Sequence, residues 1–532
     1  MAKKKRDKKP GLIASIFPQW ALKRNIARAR LARLEKYRSL DAVSGSRARY
    51  SFPSTSLNIN SEVADNIVGL REQIRRFELE NGNVSGAFRR IKKNVVGHGI
   101  RLNAEIIGDA SGTKSIPKIS EEQAETANHL AEKYFNKVWN READKRLILP
   151  FYGADGIQGI VEHALLRDNE VLVIGRTSSR VDRLIPYCLE VLEADRLQTP
   201  PGERNNPEVE NGIHFDLEGA PKSYFVLREH PGNTLSGLRD DDFEEIPAYN
   251  DNGTKKVMFL FNPIRPEQTR AFSLMASALK DIQDADRYME AEKLAALEDA
   301  CMFGTVTTED MDGWDTDNVS SDRDDYDRIH EFAPNEIKYL LPGEKLDVHR
   351  PTRPGTQFDK FIDQIWRGPA NSLDVPPEVF LQKWNGMNYS NARTVLLQFY
   401  ATCRERQRFL INNLCIPVYE NVFRWFVSKG LVSAPSFYTR KYDWLEHSWI
   451  APGWQWVDPK KEADGKAVEV NLGTENVTDI ILSQGEDPRN KLERRAREKR
   501  WIKDLEAKYD VELFAETAPA RSNTETEEPD DE

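Results

Sequence analysis

The strongest constraint on the fold is a pattern of apolar residues between 267 and 298 that has the period of an α-helix. Leu274, Ile282 and Met289 belong to its apolar stripe, and Pro266 stands where a proline favours helix initiation. At about 1.5 Å per residue, a helix over this range would be a rod of roughly 48 Å. Because most helices of globular domains are much shorter, the sequence predicts an unusually elongated element here.

A second long helix is predicted at 391–428, with Ser390 as its capping residue and apolar residues every three or four positions. A shorter helical pattern at 356–375 precedes it and ends before two consecutive prolines. The polar segment 382–389 therefore lies in a loop between two helices.

The segment 60–262 alternates between helical and strand patterns. Helices are predicted at 61–96, 121–148 and 157–166, and strands at 100–104, 170–174, 187–192, 213–216 and 223–227. This mixture predicts one α+β domain.

Composition excludes several classes of protein. The chain has 532 residues, and no stretch approaches the roughly 20 apolar residues of a membrane span. The four cysteines form no CxxC pair, so neither a zinc site nor a disulfide framework is predicted. There is no phosphate-binding glycine loop, no HExxH motif and no recognisable Ser-His-Asp arrangement. We therefore predict a chain without enzymatic activity, cofactor, metal or membrane association.

The charge is distributed unevenly along the chain. Residues 1–50 contain 15 Lys and Arg against 3 Asp and Glu, whereas the whole chain has a net charge of −10. A basic helix is predicted around 489–508, and an acidic, disordered tail at 511–532. A basic arm on an acidic body indicates contact with phosphates or with an acidic partner, or a solvated tail. One hypothesis is therefore an adaptor protein that binds nucleic acid through this arm.

Ten carboxylates lie within 309–331, where only two arginines accompany them. Metal-dependent phosphodiesterases use converging carboxylates to hold divalent ions, so a nuclease is the alternative function that this cluster suggests. The simpler interpretation is a solvated acidic surface. Cleavage of DNA in the presence of magnesium or manganese would distinguish the two.

Nine short blocks of the sequence resemble, in collinear order, those of the lambda family of phage portal proteins. They are 94–102, 167–173, 192–197, 211–216, 230–232, 265–271, 290–296, 388–393 and 452–462. The most diagnostic block is Asn388-Tyr389-Ser390-Asn391-Ala392-Arg393, in which Asn391 replaces the usual serine. The resemblance extends over about residues 60–505 and leaves the basic arm and the acidic end unassigned.

This resemblance implies an α+β portal fold with a wing, a long-helix stem, a small α/β clip and a helical crown, assembled as a ring that is usually dodecameric. The implied divisions are a basic arm 1–60, wing 61–264, stem helix 265–303, clip 304–350, second stem helix 351–380, tunnel loop 381–390, long helix 391–430, wing return and crown 431–510, and acidic tail 511–532.

The family resemblance also implies a function and a set of partners. The ring would conduct double-stranded DNA at the capsid vertex of a virion, after assembly in the host cytoplasm, and would contact terminase, capsid or scaffold protein, and neck proteins. The implied channel contacts are Lys383, Trp384, Asn385, Asn388 and Tyr389. The implied motor-docking residues of the clip are Asp310, Asp312, Asp315, Asp322, Asp324 and Asp325.

Overall fold

A computed structural model of the chain describes residues 58–108, 118–145, 154–233, 238–300, 303–308, 344–349, 358–454 and 459–511. Residues 1–57 of the basic arm, the acidic cluster at 309–331 and the acidic end at 525–532 lie outside the described residues. Within the described ranges, no helix has both the length and the apolar character needed to cross a membrane.

The helices are α1 (Ile59–Glu80), α2 (Gly82–Val95), α3 (Glu121–Glu132), α4 (Ala154–Arg167), α5 (Leu279–Ala300), α6 (Phe358–Ser372), α7 (Pro377–Leu381), α8 (Tyr389–Leu410), α9 (Ile416–Ser428), α10 (Lys441–Trp444), α11 (Pro459–Asn471), α12 (Val477–Ser483) and α13 (Pro488–Tyr509). Helix α3 continues through a π-helical stretch, Lys133–Trp139, and a short helix, Asn140–Glu142. A second π-helical stretch, Ile411–Cys415, joins α8 to α9. Helix formation throughout 391–428 is thereby confirmed.

The strands are β1 (Arg101–Ala104), β2 (Glu170–Thr177), β3 (Tyr187–Leu192), β4 (Val209–Glu210), β5 (Ile213–Phe215), β6 (Pro221–Leu227), β7 (Phe243–Pro247), β8 (Val257–Phe261), β9 (Phe303–Thr308), β10 (Glu344–His349) and β11 (His447–Ile450). They form four antiparallel groups, with strand orders β3-β2-β8, β4-β5-β6-β7, β1-β11 and β9-β10. The mixture of helices and sheets confirms the α+β class. The sequence patterns missed β4, β7, β8, β9 and β11.

The main hydrophobic core is built from both halves of the chain. Phe88 of α2 and Trp139 beyond α3 are buried in the same cluster as Tyr419 and Phe423 of α9. The indole N–H of Trp139 donates to the carbonyl of Tyr187 at 2.9 Å, which satisfies its buried polar atom. Strand β11 pairs with β1, from Arg101 opposite Ile450 to Ala104 opposite His447. The C-terminal half therefore completes the α+β domain that the sequence places before residue 262.

The long helix predicted at 267–298 begins later than expected. Its α-helical part, α5, starts at Leu279 after a 3₁₀ turn at Leu274–Ala278, for which Ser273 accepts a hydrogen bond from the Met275 N–H. The prediction failed upstream because Glu267 has a left-handed φ of 62° and Arg270 is held in the protein interior. At 1.5 Å per residue, the 22 residues of α5 extend about 33 Å rather than 48 Å.

Helices α5 and α6 precede and follow the β9-β10 hairpin in the sequence, and they pack against each other as an antiparallel pair. The ring of Tyr288 lies 5.8 Å from that of Phe358 and 4.9 Å from that of Phe361. Thr308 is paired with Glu344, so the intervening residues begin and end at adjacent positions. Thr308 and Glu344, the described residues on either side of the acidic cluster in the sequence, are therefore neighbours in one hairpin.

Candidate nucleic-acid interface

Residues 382–388, within the loop predicted at 381–390, join α7 to α8 through a tight turn. Gln382 ends α7 in the left-handed region, with φ of 55°, and the N–H of Lys383 donates to the carbonyl of Glu378 at 3.0 Å. Gly386 has a φ of 76°, which is costly for other residues. The turn is therefore fixed at its start by hydrogen bonding and in its middle by glycine.

The base of the loop is anchored in the protein core. Phe380 is fully buried, and its ring lies 6.0 Å from that of Trp366 on α6. The guanidinium of Arg90, on α2, donates to the carbonyl of Phe380. Helices α2, α6 and α8 all contact α7, so the exposed turn that follows α7 starts from a packed base.

The structure places the five predicted side chains on one exposed turn. Trp384 and Tyr389 are 37% and 45% exposed, although both are large aromatic residues. The ammonium of Lys383 lies 2.6 Å from a carboxylate oxygen of Asp363 on α6, an ion pair that the sequence did not predict. Solvent screens such an exposed pair, so it contributes little stability and leaves the lysine available to other anions.

Asn388 has a structural role at the same turn. Its side chain accepts a hydrogen bond from the N–H of Asn391 at 2.9 Å and so caps α8. The predicted cap, Ser390, is wrong by two positions, and it lies within the first turn of the helix. An asparagine at this position satisfies one of the free N–H groups at a helix N-terminus.

The six predicted motor-docking aspartates, 310 to 325, lie outside the described residues. In the described part of the chain, one group of side chains has the composition of a metal site: Glu193, Asp195 and His230, whose ligand atoms lie within 4.8 Å of one another. However, Asp195 is 2.5 Å from a guanidinium nitrogen of Arg75, and Glu193 is 3.1 Å from one of Arg167. Arginine charges thus already compensate both carboxylates, and the group fits an ion-pair network better than a divalent cation.

A buried ion-pair cluster lies beside this network. Glu170, the first residue of β2, is completely buried, and its carboxylate accepts from the guanidinium groups of Arg71 and Arg270. Arg270 also donates to the carbonyls of Ala194, Leu197 and Asn211. Sequence reasoning missed the cluster, although a carboxylate opening an otherwise apolar strand was a signal for it. Arg270 therefore links the segment before α5 to the loop after β3 and to the turn between β4 and β5, which belong to two different sheets.

The ion pairs of Asp195 predict a dependence of stability on pH. Burial of this carboxyl opposes ionisation, but the charges of Arg71 and Arg75 outweigh it and lower its pKa from the ordinary value of 3.8. The resulting stabilisation is present above pH 3.8 and is lost as the pH falls through the lowered pKa. We expect Asp195→Asn to destabilise the protein at neutral pH and to flatten the decline below pH 4. Urea unfolding from pH 3 to 7 measures both effects.

Asp182→Asn is the matched control for this prediction. Asp182 also pairs with an arginine, Arg180, at 2.7 Å, but both side chains are more than half exposed. Its replacement should change stability little at any pH because solvent screens the pair. Parallel pH profiles for the wild type and Asp195→Asn would contradict the assignment.

Comparison with known proteins identifies the family of this chain. The family model described as "Phage portal protein, lambda family" matches residues 45–407. The chain belongs to this family. The resemblance to lambda-family portal proteins and the expected α+β portal fold are thereby confirmed, and the family is structural rather than enzymatic.

Two curated relatives of this portal protein agree with that assignment. The "Probable portal protein" of Halomonas phage phiHAP-1 is 25% identical over 431 residues, which cover 79% of this chain and 77% of the relative. "Portal protein B" of Escherichia phage lambda is 19% identical over 352 residues, which cover 62% of this chain and 65% of the relative. These matches give no support to the nuclease hypothesis.

Solved structures with a similar chain come from gene transfer agent (GTA) particles. One is the neck of a native particle computed with C12 symmetry, with a TM-score of 0.43, 12% identity, and coverage of 80% of this chain and 94% of that chain. Another is the neck of an empty particle computed with C6 symmetry, with a TM-score of 0.44, 12% identity, and coverage of 84% and 98%.

Proposed function

We propose that this portal protein assembles into a closed ring, a dodecamer, at the capsid vertex of a phage virion and conducts double-stranded DNA during packaging and ejection. The family assignment supports this function. A heterologous interface whose rotation closes generates a ring of identical subunits, so one chain suffices to build the channel. The ring would form in the host cytoplasm, and its role requires neither a cofactor nor a membrane.

The architecture supports the proposed division into portal regions. The sheets and helices α1 to α4 would form the wing at 61–264, and the pair α5 and α6 the two stem helices at 265–303 and 351–380. The β9-β10 hairpin would belong to the clip at 304–350. The turn before α8 would be the tunnel loop at 381–390, and the later helices would form the wing return and the crown at 431–510.

The observation that carries the DNA contact is the anchored loop with exposed Lys383, Trp384 and Asn385 at its tip. Twelve chains of net charge −10 give a ring of −120, whose walls repel phosphates. The lysine and the amide side chains of this exposed turn would then contact the duplex weakly and position it without binding it tightly. Contact of this kind is independent of base sequence and weakens with salt.

The outer contacts of the ring follow from the same assignment. The carboxylates of the clip, Asp310 to Asp325, would meet terminase during packaging and neck proteins afterwards. The wing would meet capsid or scaffold protein. An acidic docking surface selects a partner with basic residues and makes association sensitive to ionic strength.

The first experiment is the mass of the purified protein in solution, with negative-stain images of the same sample. A single large species with a central hole in its top views is the expected result. A monomer or dimer at all concentrations and salts, with or without scaffold protein, would contradict the proposed ring.

Replacement of Lys383 by alanine should weaken binding of a DNA duplex to the assembled ring. The slope of log affinity against log salt should fall by about one for each lysine that contacts a phosphate. Asp363→Asn is the opposite change, since it frees Lys383 from its partner and should strengthen binding. Equilibrium titration between 50 and 200 mM NaCl measures both variants.

Asn388 needs a variant that preserves its structural role. Asn388→Ser keeps an oxygen acceptor for the Asn391 N–H, whereas Asn388→Ala removes the cap at a cost of about 1 kcal/mol. If Asn388→Ser weakens DNA binding, the amide of Asn388 contacts the DNA. If only Asn388→Ala weakens it, the effect comes from the loss of the helix cap. If Lys383→Ala and Asn388→Ser both leave DNA binding and retention unchanged, the loop is not the contact.

A further inference from the structure

We propose that the acidic C-terminal segment of the chain, residues 525–532, docks along the basic face of α13 and competes there with other polyanions. Both elements lie beyond residue 407, where the match to the family model ends. The proposal is independent of the DNA contact at the tunnel loop.

Helix α13 presents a dense array of exposed positive charges. Its 22 residues contain nine Lys and Arg and four Asp and Glu, a net charge of +5 in a chain whose total is −10. Pro488, at its first turn, is its only buried residue. A helix with so little buried surface gains little from packing, and its cations face solvent along about 33 Å.

Most of these cations have no carboxylate partner in the described part of the chain. Lys491 pairs with Glu486 at 2.5 Å, and Arg497 pairs with Glu493 one turn away at 2.9 Å. The seven other basic residues of the helix are in no described ion pair: Arg489, Arg494, Arg495, Lys499, Arg500, Lys503 and Lys508. Their mutual repulsion raises the energy of the helix, so a nearby polyanion would stabilise it.

The sequence supplies such a polyanion immediately downstream. The eight residues 525–532 contain six carboxylates, and the whole segment 512–532 has a net charge of −7. Thirteen residues separate Val511, the last described position, from Glu525, and the fourteen Cα-to-Cα steps between them span up to about 46 Å when extended. The acidic residues can therefore reach any part of α13. Tethering also gives them an effective concentration in the millimolar range, which favours even weak ion pairs.

Zero-length carbodiimide crosslinking followed by mass spectrometry tests the docking on the full-length protein. We expect amide bonds between the carboxylates of 525–532 and Lys491 or Lys499, which are at least 26 residues away along the chain. Their yield at 50 mM NaCl should fall at least fivefold at 500 mM, because salt shortens the range of exposed electrostatic attraction.

The matched control removes charge from α13 but keeps its reactive lysines. Arg494→Gln, Arg495→Gln and Arg500→Gln together should reduce the yield at Lys491 and Lys499 at least threefold, with the helical circular dichroism unchanged. An undiminished yield would mean that tethering alone brings the segments together, and the proposal would fail. Crosslinks directed instead to the lysines of the basic arm, residues 3–9, would also overturn it.

Competition is tested by deleting residues 525–532. The deletion should strengthen binding of a 30-base-pair duplex at 50 mM NaCl several-fold, and the three Arg→Gln changes should abolish that gain. The same experiment with Lys383→Ala separates this surface from the tunnel loop. If the deletion leaves DNA affinity unchanged while the crosslinks form, the tail occupies α13 without competing, and the competitive part of the proposal is wrong.

Discussion

Replacement of Glu170 by glutamine is expected to destabilise the folded protein by about 3–5 kcal/mol. The substitution keeps the shape of the side chain but leaves Arg71 and Arg270 without their shared carboxylate, in a site where Glu170 is 1% exposed. Two guanidinium charges would then remain in the interior. The shift in the urea midpoint, followed by fluorescence of the buried tryptophans, measures the loss.

The position of Arg270 explains why the effect should spread beyond the ion pair. Its guanidinium holds the carbonyls of Ala194, Leu197 and Asn211, so the loops that follow β3 and β4 depend on it. Glu170 also accepts the backbone N–H of Ala271. We therefore expect amide hydrogen exchange to increase in these loops, as well as near residue 170.

Glu80→Gln is the control for this substitution. Glu80 pairs with Arg76 one helical turn away at 2.9 Å, and both side chains are more than half exposed. Its replacement should change stability by less than about 0.5 kcal/mol. Equal losses for the two variants would mean that the buried carboxylate has no special role.

Replacement of Gly453 by alanine is expected to detach the C-terminal helices from the body of the protein. A Cβ atom at this position would lie 2.1 Å from the carbonyl oxygen of Ser483 and 2.5 Å from the carbonyl carbon of Gln484. These are backbone atoms, so no side chain can rotate away and α12 must move. Overpacking of this kind costs about 1–3 kcal/mol. Trypsin cleavage within α13 should accelerate on the order of tenfold to a hundredfold.

Replacement of Gly465 by alanine, in contrast, should not accelerate trypsin cleavage. Gly465 lies within α11, and nothing would meet a Cβ atom there within 4 Å. Alanine is the better helix former by about 1 kcal/mol, so cleavage should slow or stay constant. An unchanged cleavage rate in Gly453→Ala would show that α12 does not depend on the close backbone contact.

The family blocks and the periodic patterns of the sequence were enough to predict the class of protein and most of its helices. The helical period over 391–428 is found in α8, the π-helical stretch and α9, and the basic pattern near 489–508 is found in α13. These elements follow from local properties, because a stripe of apolar residues specifies both the helix and the face that packs. The loop at 382–388 was also predictable, since polar residues and a glycine separate two such stripes.

Other features depend on contacts between residues far apart in the sequence. Helix α5 starts later than predicted because the guanidinium of Arg270 is bound to the carboxylate of Glu170, a hundred residues earlier in the chain. Strand β11 exists because it pairs with β1, and Lys383 meets Asp363 only because α6 and α7 pack together. Local sequence determined the periodic helices, the loop and the charge of α13. Only the tertiary structure decided the buried ion pairs and the strand partners, because their free energy comes from groups that chain folding brings together.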